Sequence, residues 1–151
     1  GVQIAYPKSL VICVAGEASF LMNLQELSTV KQYRLPVKIF ILNNKYLGMV
    51  RQWQEFFHGG RYSESYTDSL PDFVKLAESF GIKGVRATKP EDLEKVINDM
   101  IDYDGPVIAD ICVDEKENVF PMIPSGAAHN EMKLKDNDNI ATSTKEGKML
   151  V

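Results

Sequence analysis

Short apolar runs alternate with amphipathic segments along most of this chain, and this alternation limits its fold more than any other feature. Four runs have the length and composition of strands: 10–15 (LVICVA), 35–44 (LPVKIFILNN), 83–88 (KGVRAT) and 105–113 (GPVIADICV). Four other segments have helical character: 20–33, 47–57, 72–80 and 88–102. Strands joined through helices cross over and lie parallel. The pattern therefore predicts an α/β, doubly wound, mostly parallel sheet with helices on both faces.

Local signals refine these elements. The continuous apolar run 10–15 is typical of a strand covered on both faces. Ser19 is a natural N-cap for the helix predicted at 20–33. Thr88 and Glu91 have the spacing of a capping box at the start of the last helix. These signals predict where two of the helices begin and that the first strand is covered on both faces.

Composition limits the class of protein. The chain has 151 residues, 44% hydrophobic and 25% charged, as in a soluble globular domain. Its formal net charge of −4 gives no basic footprint for nucleic acid, and no apolar run approaches the ~20 residues that span a membrane. Cys13 and Cys112 lie in apolar runs, so we expect buried, inert thiols and a cytoplasmic protein.

The two ends of the chain differ from its middle. The start, GVQIAYPKSL, has the pattern of a helix tail followed by a turn, so the domain is expected to be incomplete at its N-terminus. After Val113 the alternation ends in a Pro-rich irregular segment. We expect one domain over 1–128, followed by a loose polar tail over 129–151.

Polar residues follow the first two predicted strands. GEAS (16–19) closes the first strand and NNKYLG (43–48) closes the second. If these strands are neighbours, Glu17 and Asn44 converge at the edge where α/β sheets bind ligands. Their oxygens suit Mg²⁺ together with phosphate oxygens. On spacing alone, a helix cap at Glu17 and a simple turn at the two asparagines remain alternatives.

These motifs resemble a known family. Gly-Asp-Gly or Gly-Asp-Ala, followed at a set distance by Asn-Asn, marks thiamine diphosphate enzymes, and GEAS with LNN fits that outline. LGMVRQWQ (47–54) and ENVFPMIPSGAAHNEM (117–132) are similar to acetolactate synthase in particular. Over roughly residues 1–134, the chain resembles the C-terminal, thiamine diphosphate-binding domain of the bacterial-type large catalytic subunit.

The resemblance implies a set of site residues. The metal ligands it implies are Glu17, the Asn44 side chain and the Tyr46 main-chain oxygen. The cofactor-binding residues it implies are Gly16, Glu17, Ala18, Ser19, Asn44, Tyr46, Gly48, Met49 and Val50. The residues it places next to the chemistry are Met49, Val50 and Trp53, with Trp53 facing the substrate channel.

The resemblance also implies an activity. Acetolactate synthase uses thiamine diphosphate and Mg²⁺ to decarboxylate pyruvate and to condense the product with a second 2-ketoacid, in branched-chain amino acid biosynthesis. FAD binds mainly through other domains of the full-length enzyme. The partners implied are small-molecule 2-ketoacids, further copies in a homodimer or higher homo-oligomer, and a possible regulatory small subunit, without nucleic acid or membrane. The alternatives are another thiamine diphosphate-dependent decarboxylase or oxidase of pyruvate-like substrates, and a non-catalytic binding or assembly module.

Two departures from the family pattern affect these expectations. Glu17 stands where the family has Asp, and its extra methylene shifts a carboxylate that Mg²⁺ requires in near-octahedral geometry. The chain is also much shorter than the three-domain enzyme. The glutamate that activates the cofactor lies in another domain, so we expect this chain alone to be an inactive fragment.

Overall fold

A four-stranded, all-parallel sheet is the centre of the computed structural model, which describes residues 1–67 and 69–136. Its strands are β1 (Ile12–Gly16), β2 (Lys38–Asn43), β3 (Lys83–Ala87) and β4 (Val107–Cys112). They are ordered β1-β2-β4-β3, and each neighbouring pair is parallel. The predicted parallel α/β sheet is confirmed, because every strand of this sheet lies within or next to a predicted run.

The helices largely occupy the predicted segments. They are α1 (Val2–Ala5), α2 (Glu17–Leu21), α3 (Glu26–Gln32), α4 (Gly48–Phe57), α5 (Phe73–Ser79) and α6 (Pro90–Asp102), followed by a 3-10 turn at His129–Glu131. Chain contacts divide the protein into two compact units. Unit 1 contains Gly1–Lys45 and Thr67–Asp114. Unit 2 contains Tyr46–Tyr66 and the segment from Glu115 onward, of which 137–151 lie outside the described residues. The boundary predicted between 128 and 129 stays a prediction.

Two predicted helix starts were wrong. The segment 20–33 is divided into α2 and α3, because i to i−3 hydrogen bonds such as Asn23 N–H to Phe20 O (3.1 Å) tighten the backbone between them. Since α2 begins directly at the strand end with Gly16 as its N-cap, Ser19 lies inside the helix. Helix α6 begins at Pro90 with Lys89 as N-cap, which leaves Thr88 outside the predicted capping box.

Both faces of the sheet in unit 1 carry hydrophobic clusters. One cluster contains Phe20, Leu27, Ile39, Ile41, Phe73, Ala77, Ile82 and Ile108. The other contains Ala87, Val96, Met100, Val107, Ala109 and Ile111. Val107, Ile108 and Ala109 of β4 alternate between the two clusters, as expected of a strand covered on both faces. Each fully buried aliphatic side chain contributes about 1.5–3 kcal/mol of transfer free energy.

The burial predicted for β1 and for the cysteines was wrong. β1 is an edge strand with a single neighbour, β2. Ile12 and Val14 are 44% and 63% exposed, and Cys13 beside them is exposed too. Cys112 is also exposed, at the end of β4. The apolar composition of a strand indicates what it can bury, whereas its position in the sheet decides what is covered.

In unit 2, polar side chains of α4 hold the Pro-rich segment. Gln52 is 1% exposed, and its Nε2 donates to Val119 O (3.0 Å) while its Oε1 accepts from Val119 N–H (2.7 Å). Arg51 is also buried and donates to Asn118 Oδ1 (3.1 Å). The segment expected to be irregular therefore has a fixed path along this helix.

Asp72 supports a prediction about stability and pH. Its side chain caps α5 by accepting from the N–H groups of Val74 (3.0 Å) and Lys75 (3.3 Å), and it pairs with Arg86 at 2.8 Å. The hydrogen bond from Lys75, followed by that from Arg86, lowers the pKa of Asp72 below its ordinary 3.8. A lowered pKa adds stability that is complete above pH 3.8 and lost as the pH falls below it.

We therefore expect Asp72→Ala to lower the melting temperature at neutral pH, and the difference from the wild type to shrink below pH 3.8. Circular dichroism melts across this range measure the effect. Glu94→Ala, on the exposed side of α6, is the matched control and should change little. A deficit for Asp72→Ala that stays constant with pH would contradict the electrostatic part of the argument.

Candidate functional site

The carboxyl edge of the sheet in unit 1 brings the ends of β1 and β2 together. The register pairs Gly16 of β1 with Leu42 of β2, so Glu17 at the start of α2 and Asn44 just after β2 lie at the same edge. The two strands are neighbours, as the predicted convergence requires. Gly16, Ala18 and Ser19 share this edge, at the first turn of α2, where backbone N–H groups have no intrahelical acceptors.

Glu17 is the most unusual residue at this edge. Its side chain is 1% exposed, although it carries a carboxylate. The Thr67 hydroxyl donates to Oε1 at 3.4 Å. Oε2 is buried and has no hydrogen-bond partner among the described residues. An unpartnered buried oxygen of a charged group is costly in a finished fold, by more than the 1–3 kcal/mol of a neutral group, and so Oε2 is a candidate ligand-binding atom.

The electrostatics at Glu17 also favour a cation near its carboxylate. Burial is the main cause that raises the pKa of Glu17 above 4.5, and the negative charge of Asp110 raises it further. The backbone N–H groups of Glu17 and Asn44 and the Thr67 hydroxyl oppose this shift of the pKa, because their partial positive charges lie near the carboxylate. The backbone of Asn44 is thus next to Glu17, as the strand register requires. A cation would balance the negative charge of this carboxylate.

A second buried carboxylate in unit 1 already has its cation. Asp110 of β4 is 2% exposed, and its Oδ2 accepts from Arg86 Nε at 2.8 Å. Its other oxygen accepts from the Asn43 side chain at 3.0 Å. Arg86 also reaches Asp72 at the start of α5. Asp110 is therefore a satisfied structural group, in contrast to Glu17.

The turn after β2 is held by hydrogen bonds on both sides. Lys45 has a positive φ of 58°, and its N–H donates to Asn43 Oδ1 at 3.3 Å. Thr67 N–H donates to Lys45 O at 2.8 Å. The side chain of Asn43 therefore stabilises the turn and also contacts Asp110. Asn44, which the resemblance implies as a metal ligand, lies between Asn43 and Lys45, and hydrogen bonds hold both of these residues.

The remaining predicted site residues belong to unit 2. Tyr46 forms an antiparallel bridge with Tyr66, and their ring centroids are 5.0 Å apart. Gly48 begins α4, followed by Met49 and Val50. In this unit Met49, Val50 and Trp53 are 50%, 45% and 37% exposed. Trp53 packs on Phe57 with ring centroids 4.7 Å apart, so part of the apolar surface on the first turns of α4 is covered within this unit, and the exposed part is a patch that could contact a ligand or partner.

Three residues around Glu17 were not predicted from the sequence. Thr67 lies in a loop, and no sequence signal distinguishes it. Asp110 carried a sequence signal, because it is a charged residue inside the apolar run 105–113. A charge in a buried strand requires a partner, and Arg86 in the run 83–88 was a candidate for that partner.

The described residues, 1–67 and 69–136, contain no group of three or more His, Cys, Asp and Glu side chains able to hold a metal. This is consistent with Mg²⁺, which commonly takes one or two carboxylates and completes its shell with phosphate oxygens and water. No helix in this part of the chain is long and apolar enough to cross a membrane.

Fold and site together define a class of protein. A parallel α/β sheet binds ligands at its carboxyl edge, and here that edge presents a buried carboxylate with an unpartnered oxygen next to a helix start, as in an α/β ligand-binding domain. Residues 1–111 match the family "Thiamine pyrophosphate enzyme, C-terminal TPP binding domain". The chain belongs to this family of thiamine diphosphate-binding domains.

Individual relatives agree with this assignment. The chain is 50% identical over 133 residues to the acetolactate synthase large subunit of Pyropia yezoensis, covering 87% of this chain and 22% of the relative. It is 47% identical over 132 residues to the isozyme 2 large subunit of Escherichia coli K12, covering 87% and 24%. The resemblance to acetolactate synthase large subunits is confirmed, and the chain spans less than a quarter of the length of these relatives.

A solved structure supports the fold independently. The thiamine diphosphate-dependent 4-hydroxybenzoylformate decarboxylase of Rhodococcus jostii RHA1 superposes with a TM-score of 0.69 and 28% sequence identity. The superposition covers 76% of this chain and 22% of the decarboxylase chain. The α/β fold is therefore shared with a thiamine diphosphate enzyme.

Proposed function

We propose that this chain is the cofactor-binding portion of an acetolactate synthase large subunit, and that it binds thiamine diphosphate with Mg²⁺. Identity of 47–50% to acetolactate synthase large subunits supports the choice of enzyme. The observation that carries the proposed site is the buried Glu17 Oε2 without a hydrogen-bond partner. A cation bound to this oxygen would supply the missing positive charge.

The residues present fit such a cation. Glu17 offers an anionic oxygen, and the Asn44 side chain has an amide oxygen at the same edge of unit 1; both are hard ligands suited to Mg²⁺. The first-turn N–H groups at Ala18 and Ser19 suit a diphosphate. The roles of the Tyr46 main-chain oxygen in metal binding and of Gly48, Met49 and Val50 in contacting thiamine rest on the family resemblance.

In the proposed reaction the cofactor supplies the chemistry, and residues of this chain hold the cofactor and the substrate. Thiamine diphosphate, when bound, stabilises the carbanion left when a 2-ketoacid loses CO₂. Glu17 would neutralise the cation that holds the diphosphate. Met49, Val50 and Trp53, which are apolar and exposed in unit 2, would exclude water and orient the 2-ketoacid.

Activity of the whole enzyme would need the rest of a longer polypeptide, since the chain spans 22–24% of its relatives. For that polypeptide we propose condensation of pyruvate with a second 2-ketoacid, with FAD bound mainly by other domains. Assembly as a homodimer or larger homo-oligomer, a regulatory small subunit and a cytoplasmic location are proposals of the same kind. The description of the relatives as large subunits supports a small subunit, whereas the homo-oligomer and the location rest on the family resemblance.

A second candidate is a thiamine diphosphate-dependent decarboxylase of another 2-ketoacid. The shared fold with the Rhodococcus jostii decarboxylase favours it, at 28% identity. The higher identity to acetolactate synthases favours the first candidate. A non-catalytic binding module is the third, and cofactor titration separates it from the other two.

We expect calorimetric titration of the 151-residue chain with thiamine diphosphate to give binding heat in the presence of Mg²⁺ and much weaker binding when EDTA removes the metal. Thiamine without its diphosphate is the matched control ligand and should gain nothing from Mg²⁺. Absence of Mg²⁺-dependent binding in a folded chain would contradict the proposal and favour the non-catalytic module.

A further inference from the structure

The longer carboxylate of Glu17 requires its own explanation, because the family has Asp at this position. A glutamate has one more rotatable bond, so its carboxylate can adopt more positions relative to the backbone. A ligand for Mg²⁺ must be held in near-octahedral geometry. Some group must therefore fix the orientation of this carboxylate if it is to bind the ion well.

Thr67 is in the position to do so. Its hydroxyl lies 3.4 Å from Glu17 Oε1, whereas Oε2 has no partner among the described residues. Its backbone is anchored as well, since Thr67 N–H donates to Lys45 O at 2.8 Å. Thr67 thus links Glu17 to the turn that contains Asn44, and all of these residues belong to unit 1.

We propose that Thr67 is a positioning residue, which holds one oxygen of Glu17 so that the other is presented to Mg²⁺. The proposal rests on the proposed function, because it assumes that Glu17 is a metal ligand. Thr67 itself does not contact the ion. Hydrogen-bond partners that orient a ligating carboxylate typically change metal affinity 10- to 100-fold when removed.

The distance between Thr67 and Glu17 also predicts whether Thr67 can orient a glutamate or an aspartate at position 17. At 3.4 Å the hydrogen bond is already near the limit of a useful contact. An aspartate at position 17, shorter by one methylene, would not reach Thr67. The contribution of Thr67 should therefore depend on the glutamate.

The test measures the Mg²⁺ concentration that half-saturates binding of thiamine diphosphate to the 151-residue chain. Thr67→Val removes the hydroxyl at nearly constant shape, and we expect it to raise this concentration about tenfold. Thr67→Ser keeps the hydroxyl and should stay close to the wild type. Thr88→Val makes the same chemical change at an exposed position and should have no effect.

A double-mutant cycle with Glu17→Asp distinguishes positioning from a general effect on folding. In the Glu17→Asp background, Thr67→Val should leave the half-saturating Mg²⁺ concentration unchanged. A tenfold loss that persists in this background would overturn the proposal, as would wild-type Mg²⁺ dependence in Thr67→Val alone. Melting curves without ligand establish that each variant is folded. A folded wild-type chain without Mg²⁺-dependent binding would overturn the proposed function and, with it, the role of Thr67.

Discussion

Glu17→Ala is expected to lower the affinity for thiamine diphosphate in the presence of Mg²⁺ by at least about 100-fold. Loss of a residue that only orients a metal ligand costs 10- to 100-fold, and loss of the ligand itself should cost no less. Glu17 is the buried carboxylate whose Oε2 lacks a partner among the described residues, so removing it deletes the charge that would face the cation. Calorimetric titration at fixed Mg²⁺ measures the loss.

Glu17→Gln is the matched variant, because it keeps the shape and can still accept from Thr67 but carries no charge. We expect a similar loss of affinity. Without ligands, however, Glu17→Gln should melt at a higher temperature than the wild type near neutral pH. Burial raises the pKa of Glu17, so its ionisation destabilises the folded state as the pH rises above 4.5. Equal affinity in the wild type, Glu17→Ala and Glu17→Gln would show that Glu17 is not a ligand.

The charge of Glu17 is thus expected to strengthen cofactor binding and to lower the stability of the protein without ligand, and this combination is typical of binding sites. A buried charge without a partner lowers the stability of the empty protein and is retained where a ligand supplies the counter-charge. Asp110 shows the alternative in the same unit, because Arg86 and Asn43 satisfy both of its oxygens. The difference between the two carboxylates separates a binding role from a structural one more clearly than burial alone.

The fold could be predicted from the sequence because its signals are local. Apolar runs of strand length, separated by helices, leave few arrangements other than a parallel sheet. The same reasoning placed Glu17 and Asn44 at one edge, since the carboxyl ends of neighbouring parallel strands lie side by side. Periodicity thus predicts which helices and strands form, and parallel topology predicts that the ends of neighbouring strands converge.

Features that depend on distant parts of the chain were predicted less well. The exposure of Val14 and Cys13 follows from the edge position of β1, which no local pattern encodes. Ser19 has a good capping side chain, but the helix begins at the preceding strand end, so the cap position falls on Gly16. Thr67 lies fifty positions beyond Glu17, and only the folded chain brings the two side chains together.

Arg86→Met is expected to lower the free energy of unfolding by about 3 kcal/mol. The substitution keeps much of the side-chain volume but removes the partner of Asp110, whose carboxylate is 2% exposed and lies 2.8 Å from Arg86 Nε. Asn43 alone would then face a buried negative charge. Because the Arg86 side chain is 34% exposed, solvent screens part of the effect, and the lower end of the range for broken buried pairs applies.

Urea unfolding at neutral pH measures this loss, with Arg61→Met, at an exposed arginine, as the matched control. The double variant Arg86→Met/Asp110→Leu tests the cause. If the cost comes from an unpaired buried charge, replacing that charge with an apolar side chain should restore most of the stability, although neither arginine nor aspartate is present. A loss below about 1 kcal/mol in Arg86→Met would place the pair among ordinary surface ion pairs. Failure of the double variant to recover would mean that Arg86 acts mainly through Asp72 and the start of α5.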